Sequence, residues 1–187
     1  MRFYSIDTIP EQFKIFENVQ QVSFVHIQDR NAKGKNIHGL DIFKKLKKVV
    51  FWGSDIILDP KDEWLKGVEV LDFQKTRVRG ITDFSTMPNL QELSMSYSGF
   101  MEFPKNIETL KCLSTLTLEV YRNKLALSDI DISKLPCLKQ LELQTWYNTM
   151  TGIPEGLENN SLQALHIHHQ TLTEKEKEII KLASHQP

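Results

Sequence analysis

The sequence predicts an α/β solenoid: short strands stacked side by side in a parallel sheet, with helical or 3₁₀ segments returning the chain to the next strand. Three observations predict it. An apolar frame recurs every 22 to 27 residues through most of the chain. Inside each frame apolar and polar residues alternate, the pattern of a strand with one face buried and one face open. No single unit carries enough apolar surface to bury a face alone, so the units must stack into one continuous core.

The frame reads Val19-x-x-Val22-x-Phe24, Leu46-x-x-Val49-x-Phe51, Val68-x-x-Leu71-x-Phe73 and Leu90-x-x-Leu93-x-Met95. It continues as Leu113-x-x-Leu116-x-Leu118, Leu138-x-x-Leu141-x-Leu143 and Leu162-x-x-Leu165-x-Ile167. All 21 positions are apolar in a chain that is 40% hydrophobic, an excess that composition alone does not produce. Between the last two anchors stand Ser23, Val50, Asp72, Ser94, Thr117, Glu142 and His166, mostly polar and therefore outward. Upstream, Ile9-Pro10-x-x-Phe13-x-x-Phe16-x-x-Val19 reproduces the descending half of a unit, so residues 1–18 read as a partial repeat. Met1 to Ile6 is then either a degenerate edge strand or the inside of a longer array. Residues 19–172 hold about seven repeats. In residues 173–187, Thr173-Glu174-Lys175-Glu176 is a capping box, and Ile179, Ile180, Leu182 and Ala183 form an apolar stripe. A short amphipathic helix there would close the last rung. No boundary interrupts the array, so residues 1–187 read as a single domain.

These units resemble the leucine-rich repeat family, whose pattern L-x-x-L-x-L-x-x-N-x-L spans about 20 to 29 residues. The best unit is Leu90 to Leu113, which continues as Phe100-x-x-Phe103-Pro104-x-x-Ile107-x-x-Leu110. The resemblance implies a curved right-handed superhelix of strands and α or 3₁₀ segments, with a parallel concave sheet. It also implies a non-catalytic protein-binding module. One departure runs through the chain. The family's asparagine after the strand is replaced by Ile27, Ser54, Thr76, Ser98, Tyr121, Trp146 and Gln170. Ser and Thr can bond the turn backbone in its place, more weakly. Asn123 and Asn148 restore the asparagine two residues late, which reads as a two-residue insertion in each of those units. A polar excess near Arg30 to Asn36 reads as a loop.

Composition excludes several classes. Lys+Arg is 23 and Asp+Glu is 24, a net charge of −1, so no general basic face exists for nucleic acid. The longest apolar run is Val49 to Trp52, too short for a membrane span. No signal-peptide core precedes the array. Two cysteines are too few for a disulfide scaffold. The expectation is a cytoplasmic monomer without cofactor or nucleic-acid partner, whose partner is another protein; secretion by a route that needs no signal stays open. Cys112 and Cys137 precede the first anchors of consecutive units, and they are expected to stack on adjacent rungs as reduced, partly buried side chains. No nucleophile-elbow, zincin, CxxC, dinucleotide or P-loop motif is present, so no catalytic residue is assigned.

The candidate partner-binding surface is the concave face and its rim: Trp52, Asp72, Tyr97, Glu119, Tyr121, Glu142, Trp146, Tyr147, His166 and His168. Tyr and Trp carry much of the energy of protein interfaces. For Tyr121 and Trp146 two readings stay open, outward rim rings or inward plugs of the turn. His166 and His168 share one strand face beside Glu142, which is either a metal-binding set or a solvated polar strand. Arg30, Lys33, Lys35, Lys44, Lys45, Lys47 and Lys48 are either an anion-binding run or a solvated face. The alternative to a free-standing module is the substrate-recognition part of a larger enzyme or bacterial effector; a metal-dependent activity is the third reading.

Overall fold

The computed structural model describes residues 1–6, 8–27, 33–81, 83–100, 105–121, 125–146, 150–159, 162–168 and 172–184. Its strands, in chain order, are β1 (Arg2–Tyr4), β2 (Gln21–Val25), β3 (Lys35–Asn36), β4 (Lys48–Trp52), β5 (Asp55–Ile57), β6 (Val70–Gln74) and β7 (Arg77–Arg79). There follow β8 (Glu92–Phe100), β9 (Thr115–Tyr121), β10 (Leu125–Ala126), β11 (Gln140–Trp146), β12 (Met150–Thr151) and β13 (Ala164–His168). One four-residue helix, α1 (Trp64–Gly67), and a terminal helix, α2 (Glu174–Ala183), accompany short 3₁₀ segments such as Glu11–Phe16, Phe84–Thr86 and Ile132–Lys134. None of the described helices is long and apolar enough to cross a membrane.

The strands pair in parallel, and they pair in the register of the repeat. The concave ladder runs β1-β2-β4-β6-β8-β9-β11-β13. Val22, Val49, Leu71, Leu93, Leu116, Leu141 and Leu165 therefore stand in one column. The next inward column is Phe3, Phe24, Phe51, Phe73, Met95, Leu118, Leu143 and Ile167. Strand entry repeats from rung to rung. Gln20 O accepts from Lys47 N and Lys48 N at 2.8 and 2.9 Å, and Ser114 O accepts from Lys139 N and Gln140 N at 2.9 and 3.0 Å. A frame read from sequence becomes a column because equal spacing of apolar residues permits only one register that buries them all.

The inward column changes chemistry along the molecule. Phe3, Phe24, Phe51 and Phe73 stack with ring centroids 5.7, 5.1 and 5.6 Å apart. Phe13 from the first 3₁₀ segment meets Phe3 edge-on at 5.5 Å. From Met95 onward the column is aliphatic.

The turn after the strand also repeats. Ser5, His26, Gly53, Lys75 and Tyr97, on five successive rungs, all have left-handed φ, between 50° and 60°. Four of them are not glycine, each held at a cost of roughly 1–2 kcal/mol. The amides of the first four are satisfied by the next rung: Ser5 N by Val25 O, His26 N by Trp52 O, Gly53 N by Gln74 O and Lys75 N by Ser96 O, all between 2.8 and 3.0 Å. Ser54 and Thr76 take the asparagine's place, as expected. Both are buried. Ser54 Oγ accepts from Ile27 N at 3.1 Å and donates to Trp52 O at 3.0 Å. Thr76 Oγ1 accepts from Ser54 N at 3.4 Å and donates to Gln74 O at 2.9 Å. The hydroxyls thus form a ladder between rungs.

A second parallel ladder, β3-β5-β7 and the end of β8, follows this turn. It corrects the polar-loop reading around Arg30 to Asn36: residues 28–32 lie outside the described residues, but Lys35–Asn36 are strand, paired to Ile56 and Ile57. Asp55 ties this ladder together, bonding Arg79 and, at 3.3 Å, Arg77. Gly80 is required here, with φ of +91° and the Leu58 carbonyl 2.1 Å from where a Cβ would stand. Farther along, β10 pairs with β12.

Arg2–Tyr4 pairs in parallel with β2, in the register of the ladder. At the other end Thr173 accepts from Glu176 N while Glu176 returns a carboxylate to Thr173 N, closing the capping box. Ala183 of α2 is buried, and Ile179 and Ile180 pack against the core. Leu182 and Phe16, both read as apolar anchors, are 65% and 45% exposed because they fall at the margins of their segments.

Candidate binding surface

The surface is built by alternation. Every second residue of the concave strands points away from the core, and the register brings these residues into three columns. The middle one runs Ser23, Val50, Asp72, Ser94, Thr117, Glu142 and His166. The third runs Val25, Trp52, Gln74, Ser96, Glu119, Gln144 and His168. Ser23, expected to be open, is buried beside the N-terminal edge.

Trp52 is half-buried and held on two sides. The His26 ring meets it edge-on, centroids 4.6 Å apart and planes at 88°. Lys75 Nζ lies 5.7 Å from its centroid, a cation–π contact. His26 and Lys75 occupy the left-handed turn positions of the rungs on either side, and Gly53 takes that position on Trp52's own rung. A Cβ on Gly53 would lie 3.1 Å from His26 Nδ1, so a side chain there would crowd the histidine against Trp52. Neither His26 nor Lys75 was singled out from the sequence. The signal that finds them is their shared place in the repeat, one residue before the Ile27 and Thr76 positions.

Asp72 lies at the centre of the face. Its Oδ2 accepts from Gln74 Nε2 at 2.9 Å, while Oδ1 is buried without a hydrogen-bond partner. Tyr97 is 49% exposed at a bulge of β8, where pairing with β9 slips between Ser96 and Ser98. Glu119 is half-buried and Glu142 exposed. Glu142 pairs in register with His166, and the rings of His166 and His168 lie parallel at 6.4 Å. A shallow depression over these strands is lined by Thr115, Thr117, Gln140, Glu142, Ala164 and His166. Among the described residues no three His, Cys, Asp or Glu side chains converge as a metal site. A flat strand face holds the two imidazoles side by side rather than aiming them at one point.

Tyr121 and Trp146 are placed by their backbone alone, paired in register at the ends of β9 and β11. Tyr147 lies outside the described residues, as do Asn123 and Asn148. Arg30 of the basic run lies outside the described residues. Lys47 pairs with Glu69 at 2.6 Å, and Lys44 Nζ donates to the Asp41 carbonyl at 2.9 Å. Lys48 stands at an outward position of β4.

Cys112 and Cys137 are both exposed, not partly buried as expected. The reason is the neighbouring leucines: Leu110, Leu113, Leu135 and Leu138 take the inward positions of the turns, which leaves the residue before each anchor facing out.

No protein-family model matches the sequence, and no curated protein matches it significantly. Its structure is similar to that of a leucine-rich repeat protein of Leptospira interrogans, with a TM-score of 0.57 and 17% identity, over 95% of this chain and 56% of that one. The chain has a leucine-rich repeat fold: an open, parallel α/β solenoid. It spans little more than half the length of the protein it matches.

Proposed function

We propose that the concave sheet is a protein-binding surface and that the chain acts as a non-catalytic recognition module. One observation carries this reading: the outward columns divide into two fields of different chemistry. Over β2, β4 and β6 lie Val25, Val50, Trp52 and Val70, an apolar field with Trp52 clamped in it. From β6 to β11 lie Asp72, Glu92, Glu119 and Glu142. After Lys48 no outward strand position of the concave ladder carries Lys or Arg. The partner that fits is a protein presenting apolar side chains to the Trp52 field and basic side chains to the acidic field. On this reading Tyr97, His166 and His168 extend the same surface, and β9 and β11 run on beside it to Tyr121 and Trp146.

On this reading residues 1–187 are one domain, with a partial repeat over 1–18, seven repeats over 19–172 and a capping segment over 173–187. It works as a monomer without a cofactor. The test is affinity capture from native lysate with the wild type and with two variants, Trp52→Ala and the charge reversal Glu119→Lys with Glu142→Lys. A partner retained by the wild type binds each variant about tenfold or more weakly, while melting of both variants stays near wild type. Salt weakens the wild-type complex more than the charge-reversed one. Equal retention by all three proteins sinks the concave-face reading. Replacing Trp146 and Tyr147 by Ala also weakens capture with little loss of folding; unfolding of that double variant makes those rings core.

A further inference from the structure

We infer that Cys112 and Cys137 form a redox modification site, a dithiol that closes to a disulfide between neighbouring rungs. The inference stands on register and exposure. Thr115 pairs with Gln140, and each cysteine lies three residues upstream of its partner in that pair. The two turns between are built alike: Leu113 N donates to Leu110 O at 3.1 Å, and Leu138 N donates to Leu135 O at 3.1 Å. The leucines on both sides are buried, so the cysteines project to the same outer side of the solenoid. Neighbouring strands of a sheet lie about 4.8 Å apart, inside the Cα separation a disulfide spans. Parallel in-register side chains start about an ångström wider at Cβ than a disulfide prefers. Two exposed turns can close that gap without moving the leucine columns behind them. Elsewhere the position holds Asn18, Lys45, Gly67, Asn89 and Ser161, so the thiols occur on two rungs that touch.

The oxidant is a low-molecular-weight disulfide. The thiolate of one cysteine attacks a sulfur of that disulfide, forming a mixed disulfide and expelling one thiol. The second cysteine then attacks the protein sulfur of the mixed disulfide and expels the second thiol. One small disulfide is consumed, two small thiols are released, and one Cys112–Cys137 bond forms. The bridge ties together the rungs whose strands run on to Tyr121 and Trp146.

The experiment uses the full chain, first reduced, then equilibrated with oxidised glutathione, quenched in acid and read by intact mass and peptide mapping. Wild type gives a monomer lighter by two hydrogens, with the Cys112 and Cys137 peptides linked, exceeding the doubly glutathionylated form by about tenfold or more. Cys112→Ser and Cys137→Ser each take up one glutathione and form no internal bridge. Two glutathione adducts on the wild type, disulfide-linked dimers, or two thiols left free would each overturn the proposal.

Discussion

The first four rungs and the later ones solve the same packing problem with different parts. In the first four, phenylalanine rings stack through the inward column and buried hydroxyls of Ser54 and Thr76 join one rung to the next, while the left-handed turn runs one rung further, to Tyr97. In the rungs of Leu113 and Leu138 the column is leucine and the strands stay extended and paired through Tyr121 and Trp146. The anchor columns pass in register from one region to the other, Leu93 to Leu116 and Met95 to Leu118, and the pairing slips only beyond them, between Ser96 and Ser98. The comparison teaches that core filler and turn chemistry vary independently while the column of first anchors stays fixed, because register depends on spacing and not on which apolar residue fills it.

The largest effects should separate the two cores. Phe51→Ala removes a ring stacked on both faces and should cost about 4 kcal/mol, and Leu118→Ala about 3 kcal/mol, read by urea denaturation. Equal losses, or a larger loss at Leu118, would show that the stacked rings hold their rungs no more strongly than the leucine column holds its own. Next comes the turn. Thr76→Val should cost about 2 kcal/mol, since it leaves Gln74 O and Ser54 N buried without their hydroxyl partner. Gly80→Ala should cost a similar amount, about 2 kcal/mol, from its left-handed φ and the Leu58 carbonyl in its way.

Smaller effects concern three aspartates on the return segments. Asp83 and Asp131 start 3₁₀ turns by accepting from Ser85 N at 2.7 Å and Ser133 N at 3.1 Å. At Asp83 the Ser85 amide, then the Ser85 hydroxyl and Asn106, and at Asp131 the Ser133 hydroxyl, then Lys134 and the Ser133 amide, hold both carboxyls below the usual carboxylate value. Their contribution is present above the unfolded value of 3.8 and is lost as pH falls through the lower folded value. Asp83→Ala should cost about 1 kcal/mol near neutrality and less in acid. Asp62 behaves oppositely. Burial first, then Asp41 and Asp59, push its carboxyl above 3.8 against a hydrogen bond from Trp64. Its ionisation works against folding as pH rises through the folded value, so Asp62→Asn should slightly raise the melting temperature at neutral pH and leave it unchanged in acid. A fall in neutral melting temperature would show that the Trp64 bond outweighs the desolvation.

How much was legible depended on whether a feature repeats. The anchors at 19, 46, 68, 90, 113, 138 and 162 recur, and the pairing of Val49 with Leu71 or Leu116 with Leu141 follows from them directly. The capping box at Thr173 was legible because it is local, four residues that bond one another. The substitution of Ser54 and Thr76 for asparagine was legible from position. The second ladder was not: Lys35–Asn36 and Arg77–Arg79 are short, charged and without a period of their own, and they become strands only because the rung beside each offers a free edge. The Trp52 clamp was half legible. Trp52 stood out by residue type, while His26 and Lys75, 26 residues before it and 23 after, join it only through the turn geometry of neighbouring rungs.

The sequence by itself determined the solenoid and the register of its anchor columns, because one spacing of apolar residues admits one arrangement that buries them. Tertiary structure decided what the outward residues meet: Trp52 between His26 and Lys75, an unpaired oxygen on Asp72, and two cysteines turned to solvent on touching rungs. The contacts of Trp52 join residues more than 20 positions apart, and only the stacking of the rungs brings them within reach.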